Sequence, residues 1–332
     1  MTDRLPVVTV LTAPDEAPPP GLDQLNGRAE VRMSADTEQL ASQLPGTDVL
    51  LVTDFRTDAV LEAWPVADRL DWVHATSAGV DALLFPGMRE SDVALTNARG
   101  IFDRPIAEYV LGLILAFAKD TRGNIELQQA GEWRHRDTER IDHKQVLVVG
   151  AGAIGGEIAR LCGAAGMQVE GIARTAREVP DFAAVHAIEN LHTRLPHADY
   201  VVVAAPLNRA TEHLFNAEAF QAMKPTARFI NVGRGPIADT DALVRALRSG
   251  EIAGAGLDVF EEEPLPADHP LWELSNAILS AHMAGDFTGW RAALIDQFMT
   301  NFDRWQTGQP LHNLVDKKRG AVPPRGTVAA PT

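Results

Sequence analysis

The sequence has a single cysteine, Cys162, so no disulfide can form within the chain. It also has no cluster of lysine and arginine long enough to follow a phosphate backbone. Its 30 basic residues stand against 45 acidic ones, which gives a formal net charge of -15. Such a charge disfavours nucleic acid as a partner. Because Cys162 lies in an apolar helical pattern, we expect a packed thiol in a reducing compartment.

Long hydrophobic runs are missing as well. The most apolar segment, IAEYVLGLILAFA at 106–118, contains Glu108 and is shorter than the roughly 20 apolar residues that a membrane-spanning helix needs. The apolar stretch near the N-terminus is too short for a signal peptide and is soon broken by proline and acidic residues. These absences predict a soluble, cytoplasmic protein without a membrane partner. We also predict no metal site.

The sequence does contain two regions in which short apolar runs alternate with helical patterns. Up to about residue 98, the predicted strands are PVVTVLTA, TDVLLVTD, LDWVHATS and VALTNA. From residue 145, six more are predicted: QVLVVGAG, MQVEGIA, ADYVVVAAP, ARFINVG, AGAGLDVF and AILSAHM. This alternation is typical of parallel sheets covered by helices on both faces. At 332 residues the chain is long enough for two such cores.

Two further helices are predicted outside this alternation. RPIAEYVLGLILAFAKD has Pro105 in a plausible first turn and is apolar on nearly every face, so we expect it to be buried between domains or between subunits. After residue 285, FTGWRAALIDQFMTNFDRWQTG is predicted to form a final amphipathic helix. From about residue 318, a tail with proline and glycine is expected to be loose or held by a partner.

A glycine-rich segment, VLVVGAGAIGGEI, joins a predicted strand to a predicted helix. Its glycines Gly150, Gly152 and Gly155 have no side chains to keep a pyrophosphate away from the backbone N–H groups and the helix N-terminus. The strand-to-helix context favours a dinucleotide-binding turn. A tight turn without a ligand is the alternative.

The next predicted strand lacks the acidic residue with which NAD-specific folds hold the ribose hydroxyls. In GMQVEGIARTAR, Ala173 occupies that position and is followed by Arg174, Thr175 and Arg177, while Glu170 lies three residues earlier. Arg174 and Arg177 can donate hydrogen bonds to a 2′-phosphate, which favours NADP over NAD. The alternative is two solvated arginines in a loop.

Four more segments extend the pattern over nearly the whole chain: SAGVD at 77–81, INVGRGPIADTDAL at 230–243, LDVFEEEPLP at 257–266 and SAHMAG at 280–285. With the glycine-rich turn, their order and spacing resemble the D-isomer-specific 2-hydroxyacid dehydrogenases. The resemblance implies two doubly wound α/β domains. A Rossmann-type nucleotide domain, residues 101–285, would be inserted into a flavodoxin-like substrate domain formed by residues 1–100 and 286–332. The active site would lie in the cleft between them.

Three side chains suit the reduction of a ketone. A carbonyl that accepts hydride develops negative charge on oxygen, which requires a proton donor and a cation for the neighbouring carboxylate. His282 is the candidate acid, and Arg234 can bind the carboxylate and polarise the carbonyl. The resemblance assigns to Glu263 the task of charging and orienting His282. Each residue alone also fits a purely structural role, but their joint occurrence favours catalysis.

The resemblance implies further contacts. The substrate would be held by the backbone of Ala78 and Gly79, together with Arg234 and His282. The implied cofactor contacts are Gly150, Gly152, Ala153, Ile154, Gly155, Arg174, Thr175, Arg177, Pro206, Thr211, Val232, Asp258 and Gly285. Among these, Asp258 is expected near the nicotinamide carboxamide.

The activity implied is the reversible reduction of a small 2-keto acid to the D-2-hydroxy acid by a homodimer, with glyoxylate or hydroxypyruvate as the expected substrate. The alternative is a dinucleotide-sensing binding protein or corepressor of the same fold. Trp133 and Trp290 either wall the substrate pocket or serve plain packing. Ala281 departs from the proline that commonly precedes the family's catalytic histidine, which predicts a less rigid loop around His282.

Overall fold

The computed structural model describes residues 4–54, 58–318, 320 and 322. The chain divides into two compact units. One comprises Met1–Ile101 and Phe287–Thr332, and the other comprises Phe102–Asp286. The tail predicted from about residue 318 lies almost wholly outside the described residues.

The N-terminal part of the first unit forms a parallel sheet with three helices. Its strands are β1 Val7–Leu11, β2 Glu30–Ser34, β3 Val49–Val52, β4 Trp72–Ala75 and β5 Ala94–Thr96. Its helices are α1 Thr37–Gln43, α2 Ala59–Ala63 and α3 Pro86–Glu90. The strand order is β2-β1-β3-β4-β5, which is the flavodoxin-like order. Val10 of β1 is in register with Met33 and Leu51 on either side.

The second unit is built around a seven-stranded parallel sheet. Its helices are α4 Asp103–Ala118, α5 Thr121–Ala130, α6 Ala153–Ala164, α7 Leu191–Arg194, α8 Ala217–Gln221 and α9 Thr240–Ser249. Its strands are β6 Gln145–Val149, β7 Gln168–Ala173, β8 Ala184–Ala187, β9 Tyr200–Val203, β10 Arg228–Asn231, β11 Gly254–Leu257 and β12 Ala277–Leu279. The order β12-β11-β10-β9-β6-β7-β8 contains the Rossmann arrangement, extended by one strand.

After the second unit the chain returns to the first unit as α10, Trp290–Gln306. This helix packs on the sheet through Ile295, Phe298 and Phe302, and Phe298 stacks on Trp72 of β4 with ring centroids 5.2 Å apart. Short 3-10 helices lie in the loops of both units at Leu22–Leu25, Trp64–Val66, Asp81–Leu83, Ile188–Asn190, Leu195–His197, Gly235–Ile237 and Pro270–Glu273.

Each sheet separates two hydrophobic cores because successive residues of a strand point to opposite faces. In the second unit, Val146 and Val148 pack under α4 and α6, whereas Leu147 and Val149 pack under α8 and α9. Cys162 of α6 is fully buried, and burial raises the pKa of its thiol to about 12, as expected of a packed cysteine. No helix in the described ranges combines the length and the apolar character that crossing a membrane requires.

The predicted α/β architecture is confirmed, but both strand counts were one too low. The first sheet has a fifth strand, β2, and the second has a seventh, β8. Among the described strands, β2 pairs with β1 alone and β8 with β7 alone. β2 has one buried residue among five, and β8 has one among four, so neither forms an apolar run. An edge strand buries less than a central one, which is why an apolar pattern did not reveal it.

Candidate active site

The glycine-rich turn lies between β6 and α6, as the sequence predicted. Gly150 has φ of 113°, and a Cβ there would lie 2.6 Å from the carbonyl carbon of Ala204, which directly follows the neighbouring strand β9. A side chain at this position would therefore force the two strand ends apart. Gly152 forms the N-cap of α6, no described side chain caps it, and the space beside its Cα is open. The first amides of α6, from Ala153 onwards, thus face an open position suited to an anion.

The turn after β7 carries the arginines predicted to donate to a 2′-phosphate. β7 ends at Ala173, and Arg174 and Thr175 follow it as exposed residues. Nη2 of Arg177 donates to the carbonyl of Ala151, at 2.9 Å, so this guanidinium reaches the glycine-rich turn itself.

Glu170, the acidic residue on β7, is held by partners away from the end of the strand. Its Oε2 lies 3.1 Å from Nε2 of His186 on β8 and 3.6 Å from Nη1 of Arg194. The strand therefore ends at Ala173, and the carboxylate of Glu170 is already paired with His186 and Arg194.

His282 and Glu263 form a hydrogen-bonded pair in the second unit. Nδ1 of His282 lies 2.7 Å from Oε2 of Glu263, and Oε1 of Glu263 accepts a hydrogen bond from the amide of Phe260 at 2.9 Å. Burial by itself would raise the pKa of Glu263. The hydrogen bonds from His282 and Phe260, with the positive charge of Arg234 nearby, outweigh burial and hold that pKa below its usual value. The carboxylate is thus kept ionised beside the imidazole.

Arg234 follows β10 on the turn next to this pair. A Cβ on the next residue, Gly235, would overlap the carbonyl of Phe260, so only glycine allows the Arg234 turn to pack against the loop of Glu263. The carbonyl of Arg234 accepts from Nδ2 of Asn231 at 3.0 Å, and its Nη1 donates to the carbonyl of Gly233 at 2.8 Å. These bonds fix the backbone and the direction of the guanidinium.

Asp258 follows β11 and is 2% exposed. Its Oδ1 accepts from Oγ of Ser280 at 2.7 Å and from the amide of Met283 at 2.8 Å, while Oδ2 accepts from the amide of Ala284 at 2.9 Å. The carboxylate therefore organises the loop that carries His282. Sequence reasoning assigned Asp258 to the nicotinamide and missed this role.

The remaining predicted cofactor contacts fall on loops of the same unit. Thr211 is buried, and its hydroxyl donates to the carbonyl of Pro206 at 2.7 Å and accepts from the amide of Asn208 at 2.9 Å, which closes the loop after β9. Val232 is buried just after β10, and the half-buried Gly285 follows the histidine loop. The side chain of Thr211 thus fixes its own loop.

Ala78 and Gly79 lie in the first unit, just after β4. The carbonyl of Ala78 accepts from Nδ2 of Asn97 and that of Gly79 from Oγ of Ser77, both at 2.6 Å. Within residues 4–54 and 58–318, no hydrogen-bond acceptor is paired with their amides. The loop therefore presents two N–H donors with its carbonyls held, an arrangement suited to a carboxylate.

The two tryptophans proposed as pocket walls differ in environment. Trp133 is 95% exposed on an irregular segment after α5. The expectation that it packs in the interior of this chain is therefore wrong. Trp290 begins α10 and borders a small cavity of the first unit with Thr53 and Thr76. Across the described ranges, no group of three or more histidine, cysteine, aspartate or glutamate side chains is arranged to hold a metal ion.

Comparison with known proteins identifies the family. Residues 111–284, over half of the chain, match the family described as "D-isomer specific 2-hydroxyacid dehydrogenase, NAD binding domain". The chain belongs to the D-isomer-specific 2-hydroxyacid dehydrogenase family. Its fold agrees, because solved structures of 2-hydroxyacid dehydrogenases superpose on both parallel-sheet domains.

Named relatives of this dehydrogenase chain include two reductases and one solved structure. A "Glyoxylate reductase" from Pyrococcus horikoshii is 30% identical, over 93% of this chain and 92% of its own. A "Glyoxylate/hydroxypyruvate reductase B" from Salmonella gallinarum is 37% identical, over 68% of this chain and 70% of its own. The structure of an NADPH-dependent glyoxylate/hydroxypyruvate reductase from Sinorhizobium meliloti, in complex with NADP and sulfate, matches with a TM-score of 0.80. It is 28% identical and covers 96% of this chain and 100% of that one.

A nicotinamide dinucleotide fits the residues of this dehydrogenase. The open space at Gly152 and the uncapped N-terminus of α6 accommodate a pyrophosphate next to backbone donors. The exposed Arg174 and the loop-bound Arg177 place positive charge beyond the end of β7. The chain is therefore an oxidoreductase whose second unit has the features of a nicotinamide-cofactor site.

Proposed function

We propose that this protein reversibly reduces a small 2-keto acid to the D-2-hydroxy acid, with NADPH favoured over NADH. The observation that carries the proposal is the 2.7 Å bond between His282 and Glu263, beside the turn of Arg234. Glyoxylate and hydroxypyruvate are the proposed substrates. The names printed for the relatives from Pyrococcus horikoshii and Salmonella gallinarum support this choice.

His282 is the proposed proton donor. Its Nδ1 is bonded to Glu263, so Nε2 is the ring atom that gives its proton to the substrate oxygen during reduction and takes it back during oxidation. Glu263 remains ionised because its pKa is lowered, and a carboxylate at this distance stabilises the protonated ring. The pair thus supplies both the proton and the orientation of the donor.

The proposed carboxylate contacts are Arg234 and the amides of Ala78 and Gly79. A guanidinium can donate two parallel hydrogen bonds to a carboxylate and can also approach the adjacent carbonyl oxygen, where charge develops. The amides of Ala78 and Gly79 add neutral donors. The carbonyls of these two residues already accept hydrogen bonds from Asn97 and Ser77. Arg234 and the two amides are each a proposed donor to the carboxylate of the keto acid, and Arg234 would also stabilise the charge that develops on the carbonyl oxygen.

A bound nicotinamide cofactor supplies the hydride. Gly150, Gly152 and the first turn of α6 are proposed to hold its pyrophosphate. Arg174 is proposed to donate to a 2′-phosphate, while Arg177 braces the glycine-rich turn through the carbonyl of Ala151. This division between the two arginines refines the prediction that both read the phosphate.

The proposal includes a homodimer in the cytoplasm. Exposed apolar side chains on consecutive elements support the homodimer: Leu115 on α4, Ile125 on α5 and Trp133 just after it. The proposed cytoplasmic location is supported by the single cysteine, which is buried and free, as is usual in a reducing compartment.

The decisive experiment is turnover of a panel of small 2-keto acids with NADPH, in wild type and in His282→Ala. We expect wild-type reduction of glyoxylate or hydroxypyruvate and a loss of about 10² to 10⁴ in kcat for His282→Ala, with cofactor binding retained. His143→Ala is the matched control, because the side chain of His143 is 81% exposed. Cofactor binding without turnover of any keto acid would contradict the proposal and favour a dinucleotide-sensing binding protein.

A further inference from the structure

The loop that carries His282 folds around a single residue, Asp258. The amide of His282 donates to the main-chain carbonyl of Asp258 at 2.8 Å, and the next two amides, of Met283 and Ala284, donate to its carboxylate. His282 itself has φ of 52°, in the left-handed region that a histidine seldom adopts. Because surrounding bonds must hold such a conformation in place, the position of the imidazole depends on Asp258.

Asp258 in turn depends on neutral donors. It is 2% exposed, and it forms no ion pair with any lysine, arginine or histidine of the described ranges. A buried carboxylate in this situation is stabilised by the hydrogen bonds it accepts, and each one lost weakens that stabilisation. Two of its three side-chain bonds come from the loop backbone. The third comes from the hydroxyl of Ser280, at 2.7 Å.

The hydroxyl of Ser280 is oriented by Tyr109 of α4. Tyr109 donates its hydroxyl hydrogen to Oγ of Ser280 at 2.5 Å. A serine hydroxyl can rotate, but one that accepts from Tyr109 has its own hydrogen directed to Asp258. Burial raises the pKa of Tyr109, so its phenol remains a donor over the working pH range. The donors therefore run in one direction, from Tyr109 through Ser280 to Asp258.

We propose that Tyr109 and Ser280 are positioning residues for the reaction: through Asp258 they hold the histidine loop so that His282 stays bonded to Glu263 and aimed at the substrate. The proposal rests on the role of His282 in the proposed function. Ala281 has no ring to stiffen this loop, so hydrogen bonds must set its position. Tyr109 on α4, 171 residues from Ser280 in sequence, thereby contributes to the proton-transfer step without touching the substrate.

The kinetic test uses Tyr109→Phe, Ser280→Ala and the double variant. We expect Ser280→Ala to lower kcat for reduction by about tenfold, the loss that corresponds to one hydrogen bond to a charged group. Tyr109→Phe should lower kcat by less, because it removes a bond between two neutral hydroxyls, and KM for NADPH should be unchanged in both variants. The double variant should lose no more than Ser280→Ala, because the tyrosine acts only through the serine. Ser280→Thr, which keeps the hydroxyl, should restore kcat.

Tyr200→Phe is a matched control. Tyr109 and Tyr200 are the chain's two tyrosines, and the buried Tyr200 hydroxyl has no hydrogen-bond partner in the described structure. The same chemical change should therefore leave kcat as it is in wild type. Wild-type kcat in Ser280→Ala, or independent losses that add in the double variant, would overturn the proposal.

A second measurement does not depend on turnover. The imidazole N–H proton of His282 that is shared with Glu263 should give a protected NMR signal in wild type, assigned by its disappearance in His282→Asn. We expect its exchange with water to be about tenfold faster in Ser280→Ala and unchanged in Ser280→Thr. Unchanged exchange in Ser280→Ala would overturn the positioning role, even if the wild type reduced no keto acid. A wild type with the protected signal and no turnover would instead contradict the proposed function.

Discussion

At the scale of single residues, the candidate site is a set of charged groups whose states depend on one another. Glu263 would resist ionisation because of its burial, yet His282, the amide of Phe260 and the charge of Arg234 hold its pKa below the usual value. The histidine is therefore next to a carboxylate that stays charged well into acid solution. This coupling has a measurable consequence for the pH dependence of the proposed reaction.

Glu263→Gln should shift the pH profile of reduction. Reduction needs the protonated imidazole, and an amide cannot stabilise its charge, so kcat/KM for reduction should fall. The low-pH limb caused by protonation of Glu263, expected below the ordinary carboxylate range in wild type, should disappear.

The measurement is kcat/KM for reduction across the pH range in both proteins. Glu262→Gln is the control, because this exposed neighbour lies in the same loop. A low-pH limb that persists in Glu263→Gln would show that protonation of Glu263 does not cause it.

At the scale of elements, strand ends carry the chemistry. Arg234 follows β10, Asp258 follows β11 and the glycine-rich turn follows β6, so one edge of a parallel sheet collects them. The turn after β7 belongs to this edge as well. Its composition bears on which dinucleotide is favoured.

Arg174→Ala should lower the preference for NADPH. A charge-assisted hydrogen bond to the 2′-phosphate is worth about 1.5 to 3 kcal/mol, so the ratio of kcat/KM for NADPH over NADH should fall by about tenfold to a hundredfold. Arg177→Ala should instead weaken both cofactors, because its guanidinium bonds to the carbonyl of Ala151. Arg140→Ala is the control, with a side chain that is 83% exposed. A wild-type preference for NADH would show that the turn does not read the phosphate.

The stability of the first sheet should depend on His74 of β4. This side chain is fully buried, its Nδ1 is bonded to Oγ1 of Thr96 at 2.8 Å, and burial lowers its pKa from 6.5 to about 3. As pH falls below 6.5, His74 is protonated in the unfolded chain, whereas in the folded chain it stays neutral until about pH 3. The free energy of unfolding should therefore decrease by about 1.4 kcal/mol per pH unit from this residue.

Urea unfolding of wild type and His74→Leu at several pH values below neutrality measures this contribution as the difference in slope. His135→Leu, at an exposed position, is the control. If both variants kept the wild-type slope, the acid sensitivity would arise elsewhere.

At the scale of the whole molecule, the second unit interrupts the first in sequence. The chain leaves the first unit after Ile101 and re-enters it at Phe287, and each unit has its own sheet and its own pair of cores. α10 shows why the return is needed, since Phe298 and Phe302 fill one face of the first sheet.

The protein should be a dimer in solution. Leu115 on α4, Ile125 on α5 and Trp133 just after α5 are 39%, 50% and 95% exposed, and a dimer interface would cover such apolar side chains. Light scattering at micromolar concentration should give twice the mass of the chain, and Ile125→Arg should give a monomer. Leu61→Arg, at a 45% exposed position on α2, should remain a dimer. A monomeric wild type would contradict the prediction.

The sequence by itself determined the α/β character of both units, the glycine-rich turn and the family. Buried parallel strands are apolar runs, and a phosphate-binding turn needs glycines at set positions. Arg234, Glu263 and His282 could be named for the same reason, since each lies in a local motif.

Tertiary structure decided what depends on distant partners. β2 and β8 became visible only through pairing with one neighbour. Likewise, Tyr109 meets Ser280 only because α4 packs beside the histidine loop, 171 residues away in sequence. No periodicity in the chain encodes a contact between residues so far apart.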